Sequence, residues 1–303
     1  MSLSSEVRKQ TVRATELWNR FLRYDPVRED LIISKYSFNE FARPVLPFVN
    51  GDSAFALTCT RLRPFLHDDS RGKAWIMALG FSNEDAMSEL LEVQESELRK
   101  RNVNRLICCG FTPTYFFPGV DERLYGRTGE FLRKNGFVVV EEAIAMDKDL
   151  WPDVSLPDQA GMPDGISVGN LRKKELPKLL SMLRRNFSAD YSYRARVACE
   201  KGEEYQIKVA REGRKIIGFS MFFGAEGRRW YMPGEHFGPF GVDEVYRSRG
   251  IGAVLLRETL LEMRARNIHR AYFLWTSEQA SRLYTRFGFR TTRKFTVFEK
   301  QLS

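Results

Sequence analysis

A glycine-containing stretch between an apolar run and an amphipathic segment constrains the fold of this chain more than any other feature. The stretch is Arg247-Ser248-Arg249-Gly250-Ile251-Gly252-Ala253, preceded by the apolar run 237–242 and followed by the amphipathic segment 254–267. This order predicts a strand, a loop and the start of a helix. N–H groups in a first helical turn lack intrahelical partners, and glycines let a ligand approach the backbone closely. The stretch therefore predicts a site for a phosphate-bearing ligand, with Arg247 and Arg249 adding positive charge.

Two glycines also suit a simple turn, and that interpretation stays open at this point. The spacing does exclude some nucleotide sites. The chain has no G-x-x-x-x-G-K-[ST] sequence, so a nucleoside triphosphatase loop is unsupported. The bulky Leu255 stands where the third glycine of a dinucleotide fingerprint would fall.

Two motifs in the second half of the chain resemble those of one family. Arg247-x-x-Gly250-x-Gly252 resembles the acyl-coenzyme A pyrophosphate loop of the GNAT superfamily of N-acetyltransferases, and Phe240-Gly241-Val242 stands where that family's fourth strand precedes the loop. The segment 280–289 resembles the family's second motif, Y-x-x-x-G-F, with Tyr284 four residues before Gly288. The resemblance covers roughly the last 140 residues, a normal domain length.

The first half of the chain repeats the second half weakly. Arg101-Asn102-Val103-Asn104-Arg105-Leu106 parallels Arg266-Asn267-Ile268-His269-Arg270-Ala271, and each hexapeptide follows an amphipathic segment and precedes an apolar run. The segment 131–137 parallels 283–289, and both end in Gly-Phe at a predicted helix terminus. Two matches in the same order predict duplicated α/β units. The first half also resembles a degenerate GNAT domain, through residues 114–121, which resemble a segment of some bacterial tandem GNAT proteins.

The resemblance and the repeat together define a fold prediction. The fold class is α/β (α+β), with two tandem GNAT-like domains. Each domain is a mixed central sheet flanked by helices, and the fourth strand of the C-terminal domain is splayed. We expect a degenerate GNAT-like domain at residues 1–150, a proline-containing linker at 151–164 and an acyl-CoA-binding GNAT domain at 165–303. Pro239, between Gly238 and Gly241, suits a bulged strand that leaves backbone groups free for a ligand.

The first domain lacks the phosphate loop. After a predicted strand at 74–81 comes Ser82-Asn83-Glu84-Asp85, with neither glycine nor arginine. Ser82 with Asp85 predicts a capping box, which would satisfy the helix N–H groups internally. The two acidic residues would also repel a pyrophosphate. We therefore expect a structural or substrate-shaping role for this domain.

Composition limits the remaining function classes. The chain has 303 residues, 43% of them hydrophobic and 29% charged, as in globular proteins. Its four cysteines lack C-x-x-C spacing, which predicts buried, reduced thiols and no metal site. The net charge of +9 is spread along helices among acidic residues, so nucleic acid is an unfavoured partner. There is no run of ~18 apolar residues that would span a membrane, and no signal pattern at the N-terminus. We expect a cytoplasmic location. The sequence does not indicate the oligomeric state.

The resemblance implies acetyl-CoA as co-substrate and assigns roles to residues. Backbone groups of Phe240, Gly241 and Val242 would pair with the pantetheine arm, and the amides of Arg249, Gly250, Ile251, Gly252 and Ala253 would bind the pyrophosphate. Tyr284 would be the general acid, because a phenol donates a proton to a departing thiolate. Glu235 and His236 are candidates for the general base. The alternative for Tyr284 is that it is an ordinary packed tyrosine of a helix. The alternative for Glu235 and His236 is that both are ordinary polar residues at the end of a strand.

The predicted function is transfer of an acetyl group from acetyl-CoA to a primary amine by direct attack in a ternary complex. The acceptor is a small molecule or a peptide amine that the sequence does not name. Residues 190–200 and 228–235, with the aromatic side chains of Tyr191, Tyr193, Trp230 and Tyr231, are candidates for its pocket. The alternative is a non-catalytic GNAT-fold module that binds RNA or a protein partner.

Overall fold

A computed structural model describes residues 5–63, 70–151, 164–223 and 235–302, with only the backbone described at 235 and 236. The α-helices are α1 Ser5–Phe21, α2 Glu29–Ile32, α3 Glu84–Lys100, α4 Gly126–Lys134, α5 Leu176–Asn186, α6 Ala189–Glu200, α7 Ile251–Ala265 and α8 Glu278–Arg286. The strands are β1 Ala42–Pro44, β2 Val49–Asn50, β3 Ala54–Arg61, β4 Lys73–Phe81, β5 Arg105–Cys108, β6 Val138–Asp149, β7 Ile166–Asn170, β8 Ile207–Glu212, β9 Lys215–Phe223, β10 Glu235–Val242, β11 Arg270–Thr276 and β12 Arg290–Gln301.

These elements form two compact units. The first comprises residues 1–64, 68–144 and 293–303, and the second comprises 65–67 and 145–292. The last residues of the chain thus belong to the first unit, and the last five residues of β6 belong to the second. The predicted linker, 151–164, lies almost entirely outside the described residues, and the predicted domain limits remain a prediction.

The first unit is a mixed sheet with helices packed on it. Its strands run in the order β1-β3-β4-β5-β12, with β2 also paired to β3. Pairing is antiparallel except between β4 and β5, which α3 connects as parallel strands. The core joins apolar residues of α3 and α4 to the sheet, for example Leu98 and Phe131 against Phe298.

The second unit repeats this plan. Its strands run in the order β6-β11-β10-β9-β8-β7, antiparallel from β7 to β10 and parallel between β10 and β11, which α7 connects. Helices α5 and α6 pack on β8 and β9 through a buried cluster that includes Leu183, Ala198 and Phe219. The predicted α/β fold with two mixed sheets flanked by helices is confirmed.

The internal repeat extends to backbone detail. Asn102 and Asn267 follow α3 and α7 with φ of 56° and 58°, the left-handed conformation that asparagine tolerates. Gly136 and Gly288, after α4 and α8, have φ of 83° and 79°, as expected for glycine beyond a helix C-terminus. The two hexapeptides and the two Gly-Phe pairs therefore end equivalent helices. All four cysteines are buried and free, as predicted.

Candidate functional site

The candidate site lies where β10 stops pairing with its parallel neighbour, β11. β10 pairs with β9 at both of its ends, from His236 opposite Phe223 to Val242 opposite Gly218. Its pairing with β11 involves only the backbones of residues 235 and 236; residues 237–242, all described, have no partner there. The two strands are therefore splayed, which exposes the polar backbone groups on one edge of β10 to a ligand.

A bulge accompanies the splay. The register of β10 against β9 shifts between Phe237 and Phe240, across Gly238 and Pro239. Gly238 has a φ of 108°, which residues with a Cβ rarely adopt. Proline cannot donate to a β-ladder, so this dipeptide fits an irregular strand better than a regular one. The predicted bulge at Pro239 is thus present.

The loop after β10 presents unpaired amides at the start of α7. Gly250 is the N-cap residue, with a left-handed φ of 79°, and Ser248 has a φ of 63°. The first N–H groups bonded within the helix are those of Ala253 and Val254, both to the Gly250 carbonyl. Among the described residues, the backbone N–H groups from 249 to 252 donate to no protein group. Four free amides at a helix N-terminus fit an oxyanion, since the helix dipole also favours negative charge there.

The two arginines of the loop occupy different positions. The Arg247 Nε donates to the Val242 carbonyl over 3.2 Å, which ties the loop to the end of β10. The Arg249 guanidinium lies 5.2 Å from the ring centre of Tyr246. Both residues are exposed, so both guanidiniums can reach a phosphate beside the helix terminus. Asp243 accepts from the Val245 amide and caps the short 3₁₀ turn Glu244–Tyr246.

Gly252 lies close to the end of the splayed strand. A Cβ built there would lie 3.4 Å from the Phe240 ring and 3.6 Å from the Leu283 side chain, which are ordinary contacts. Packing within the protein therefore does not require glycine at this position. The residue keeps the backbone accessible on the side where its amide is free.

Tyr284 belongs to an aromatic cluster at the opening of the splay. Its ring centre lies 4.6 Å from that of Phe273 and 6.0 Å from those of Phe237 and Phe240. The residue is 7% exposed, and its hydroxyl donates to no described group. Burial raises the pKa of the Tyr284 phenol well above its ordinary value, and the Tyr191 phenol on α6 raises it further. Tyr284 is therefore a protonated donor throughout the neutral pH range.

The structure brings several predicted site residues together, and it does not describe the side chains of some others. Phe240, the loop amides and Tyr284 surround one opening, while the side chains of Glu235 and His236 lie outside the described part of the chain. Trp230 and Tyr231 also lie outside it. Tyr191 packs beside Phe187 and Phe219, at ring distances of 6.2 and 6.0 Å.

Sequence reasoning missed Phe187. A Cβ on Gly241 would lie 2.2 Å from its ring, so Phe187 packs directly against the backbone of β10. It is the residue that follows α5, and no motif marks it. Its only sequence signal is an aromatic residue immediately after an amphipathic helix.

The corresponding loop of the first unit has no phosphate site. The N-cap of α3 is Asn83, whose side chain accepts from the amides of Asp85 and Ala86. The predicted capping box with Ser82 as N-cap is therefore wrong by one residue, because the Ser82 hydroxyl donates to the Ser53 carbonyl instead. The amides are nevertheless satisfied internally, as expected. In the repeat alignment, Leu132 occupies the position of Tyr284.

The described residues contain no group of three or more His, Cys, Asp or Glu side chains placed to hold a metal ion. Within those same ranges, no helix is both long and apolar enough to cross a bilayer.

Comparison with known proteins agrees with this geometry. The family model for the acetyltransferase (GNAT) domain matches residues 203–291, which include β10, the glycine loop, α7 and α8. The second unit thus contains a GNAT acetyltransferase domain. No curated protein sequence matches the chain.

Solved structures extend the likeness to both units. The glucosamine N-acetyltransferase region of a fungal multi-domain β-N-acetylglucosaminidase is 18% identical, with a TM-score of 0.76 over 96% of this chain and 37% of that protein. This chain thus spans little more than a third of the fungal protein. A GCN5-related N-acetyltransferase from Sphaerobacter thermophilus is 14% identical, with a TM-score of 0.67 and coverage of 99% and 94%.

A tandem GNAT protein from the clavulanic acid biosynthesis pathway is also similar. It is 10% identical, with a TM-score of 0.58 and coverage of 100% of this chain and 97% of that one. At these identities the likeness shows the fold. The chain has the fold of tandem GNAT proteins, with its recognisable acetyltransferase domain in the second unit.

Proposed function

We propose that the second unit transfers an acetyl group from acetyl-CoA to a primary amine while both substrates are bound. The observation that carries this proposal is the row of four free amides at residues 249–252, at the end of a splayed strand and beside the Tyr284 cluster. The donor set fits a pyrophosphate, because backbone N–H groups and a helix N-terminus bind oxyanions without a metal ion. The exposed guanidiniums of Arg247 and Arg249 supply the remaining countercharge.

The free edge of β10 would hold the substrate for reaction. Backbone groups of Phe240, Gly241 and Val242 that β11 does not pair are available to the pantetheine amides. Holding two reactants in one orientation is the largest contribution to a bimolecular transfer of this kind. A free N–H on this edge would also stabilise negative charge developing on the carbonyl oxygen. Acetyl-CoA would supply the activated acyl group as a thioester.

Proton movements complete the chemistry. The amine must lose a proton as its nitrogen forms the new C–N bond, and Glu235 or His236 is proposed to accept that proton directly or through water. The C–S bond breaks, and Tyr284 is proposed to donate its phenolic proton to the departing sulfur. Its raised pKa keeps the phenol protonated at neutral pH, and it also makes the phenol a weaker acid in the protein without substrate.

The acceptor is proposed to be a small amine, with amino sugars as the first class to test. The similar fungal structure is that of a glucosamine N-acetyltransferase region, and it aligns with nearly all of this chain. Tyr191 on α6 is proposed to contact the acceptor, because its phenol lies near enough to that of Tyr284 to raise the pKa of Tyr284.

Calorimetric titration with acetyl-CoA tests the loop first. We expect one site per chain, and Gly252→Asp should abolish binding because its carboxylate would face the pyrophosphate. Gly252→Ala is the matched control, since its Cβ makes only ordinary contacts, and we expect its affinity within about fivefold of the original. Equal affinities for all three proteins would contradict the site. An amine panel that begins with glucosamine then tests turnover.

A further inference from the structure

Tyr246 precedes the glycine loop directly, and its ring has a fixed place beside the start of α7. The residue ends the short 3₁₀ turn that follows β10 and is 8% exposed. It belongs to a buried cluster with Ile251 and Leu255 of α7. Ile251 is the first residue of that helix and supplies one of the four free amides. The Tyr246 ring is therefore packed against the helical turn that presents those amides to a ligand.

The guanidinium of Arg249 lies on this ring. Its central carbon is 5.2 Å from the ring centre of Tyr246, within the ~6 Å over which an aromatic face attracts a cation. The Arg249 side chain makes no hydrogen bond and no ion pair with any described residue. A carboxylate partner would occupy the N–H donors of the guanidinium, whereas an aromatic ring leaves them free. Arg249 is thus held in place while its donors remain available to an anion.

The acidic group nearest to the Tyr246 side chain is bonded to its hydroxyl. The hydroxyl donates to the Glu212 carboxylate over 2.7 Å and accepts from the Lys215 ammonium over 3.3 Å. The Lys215 ammonium also lies 4.7 Å from the ring centre. Within the described part of the chain, neither Glu212 nor Glu244 forms an ion pair with Arg249. The charge of Arg249 is therefore not neutralised by a carboxylate of the described residues.

We propose that Tyr246 is a positioning residue for acetyl-CoA, whose ring holds the Arg249 guanidinium beside the four free amides. This role rests on the proposed function, because the pyrophosphate of acetyl-CoA is the anion that Arg249 would contact. A flexible arginine side chain loses conformational freedom when it binds a ligand, and a side chain already held by a ring loses less. Tyr246 thus raises the affinity for the pyrophosphate through Arg249 and not through a contact of its own.

A double-mutant cycle on the full chain, measured by calorimetric titration with acetyl-CoA, tests this role. Arg249→Ala should raise the dissociation constant about tenfold, because arginine–phosphate contacts are charge-assisted. Tyr246→Leu should raise it about fivefold, the upper range for a cation held on a ring at an exposed site. In the Arg249→Ala background, Tyr246→Leu should add less than about twofold, since no guanidinium is left to hold. A fivefold effect of Tyr246→Leu in both backgrounds would overturn the proposal.

Tyr246→Phe separates the ring from the hydroxyl. It keeps the ring and loses the hydrogen bonds to Glu212 and Lys215, so its dissociation constant should stay within about twofold of the original. An affinity as low as that of Tyr246→Leu would assign the effect to the hydroxyl and overturn the proposal. Arg8→Ala on the exposed face of α1 is the charge control, because it removes one positive charge from the first unit, and it should leave the affinity unchanged.

A fluorinated ring tests the same contact without a change of packing, should Tyr246→Leu fail to fold. Pentafluorophenylalanine at position 246 keeps the shape of the Tyr246→Phe ring and reverses the charge distribution that attracts a cation. Its dissociation constant for acetyl-CoA should be about fivefold higher than that of Tyr246→Phe, and equal values would overturn the proposal. Absence of acetyl-CoA binding by the unchanged protein would overturn the proposed function as well, whereas the other contrary outcomes concern Tyr246 alone.

Discussion

The ring of Phe187 occupies the space in which a side chain at Gly241 would lie. A Cβ on Gly241 would be 2.2 Å from the Cε1 atom of Phe187 and 2.7 Å from its Cζ atom. Phe187 in turn packs edge-on against Phe219 of β9, with ring centres 5.1 Å apart. The backbone of the splayed strand is therefore held from one side by an aromatic ring that follows α5. This contact fixes the strand edge proposed to bind the pantetheine arm.

Gly241→Ala is expected to destabilise the protein by about 2 kcal/mol, because overpacking a buried contact forces the ring or strand to shift. Urea unfolding followed by circular dichroism measures the change. Gly169→Ala is the control, since its Cβ would come no closer than 3.7 Å to the Arg211 guanidinium. Phe187→Leu in the Gly241→Ala background should recover part of the loss. Additive effects of the two substitutions would argue against the contact.

Tyr284→Phe is expected to lower kcat about 100-fold while leaving KM nearly unchanged, because the proposed proton donation occurs only as the thiolate departs. Stability should change by less than about 0.5 kcal/mol, since the hydroxyl donates to no described group. The raised pKa of Tyr284 keeps the donor protonated, so any loss of rate that depends on this group should begin only above pH 10. Tyr205→Phe is the control, because the Tyr205 ring packs beside Phe222 and has no ring contact with Tyr284. An unchanged kcat in Tyr284→Phe would remove Tyr284 from the mechanism.

Lys148 and Lys300 are equivalent in the repeat and should respond oppositely to replacement by methionine. Lys300 donates to Glu95 over 2.6 Å. Lys148 is 4% exposed and has no ion pair with any described residue. Lys300→Met should destabilise the protein by about 2 kcal/mol, by leaving Glu95 without this partner. Lys148→Met should stabilise it by about 1 kcal/mol, by removing a charged group on a buried residue that has no ion pair with a described residue.

The pH dependence provides a second test of Lys148. Burial and the nearby Arg290 lower its pKa below the ordinary value of 10.5. Between the two pKa values, the unfolded chain binds more protons than the folded chain, so stability should rise with pH towards 10.5. Lys148→Met should lack this contribution. Unfolding measured at pH 7 and pH 10 would contradict the prediction if the pH dependence were the same in both proteins.

Glu175 is expected to stabilise the second unit above pH 4.5. Its carboxylate accepts from the Arg172 side chain over 2.6 Å and from Arg211 over 2.8 and 3.0 Å, and these bonds lower its pKa strongly. A depressed pKa gives stability that is present above the unfolded value and lost as pH falls through the folded one. Glu175→Gln should cost about 2 kcal/mol at pH 7 and have little effect in strong acid.

Denaturation at pH 7 and pH 3 tests this effect: pH 3 lies between the unfolded and the folded pKa of Glu175, so Glu175→Gln should cost less there than at pH 7. Glu92→Gln on the exposed face of α3 is the control and should leave stability unchanged at both pH values. A Glu175→Gln variant as stable as the original protein at pH 7 would show that the two arginines do not stabilise the fold through this residue.

Local sequence was enough to predict the ends of some helices and the glycine loop before α7. The two Gly-Phe pairs predicted the ends of α4 and α8, because helix end signals depend on residues a few positions apart. The G-x-G spacing predicted a loop at a helix N-terminus for the same reason. The N-cap of α3 was misplaced by one residue, since Ser82 and Asn83 are both good caps and only the contact with Ser53 distinguishes them.

Tertiary structure decided how distant segments meet. It places residues 293–303 in the first unit and residues 145–149 in the second, which no local pattern specifies. It also sets Phe187 against Gly241 and leaves Lys148 without the carboxylate that its counterpart Lys300 has. These outcomes depend on packing between residues that are far apart in the chain, where burial and steric fit rather than backbone preference determine the lowest free energy.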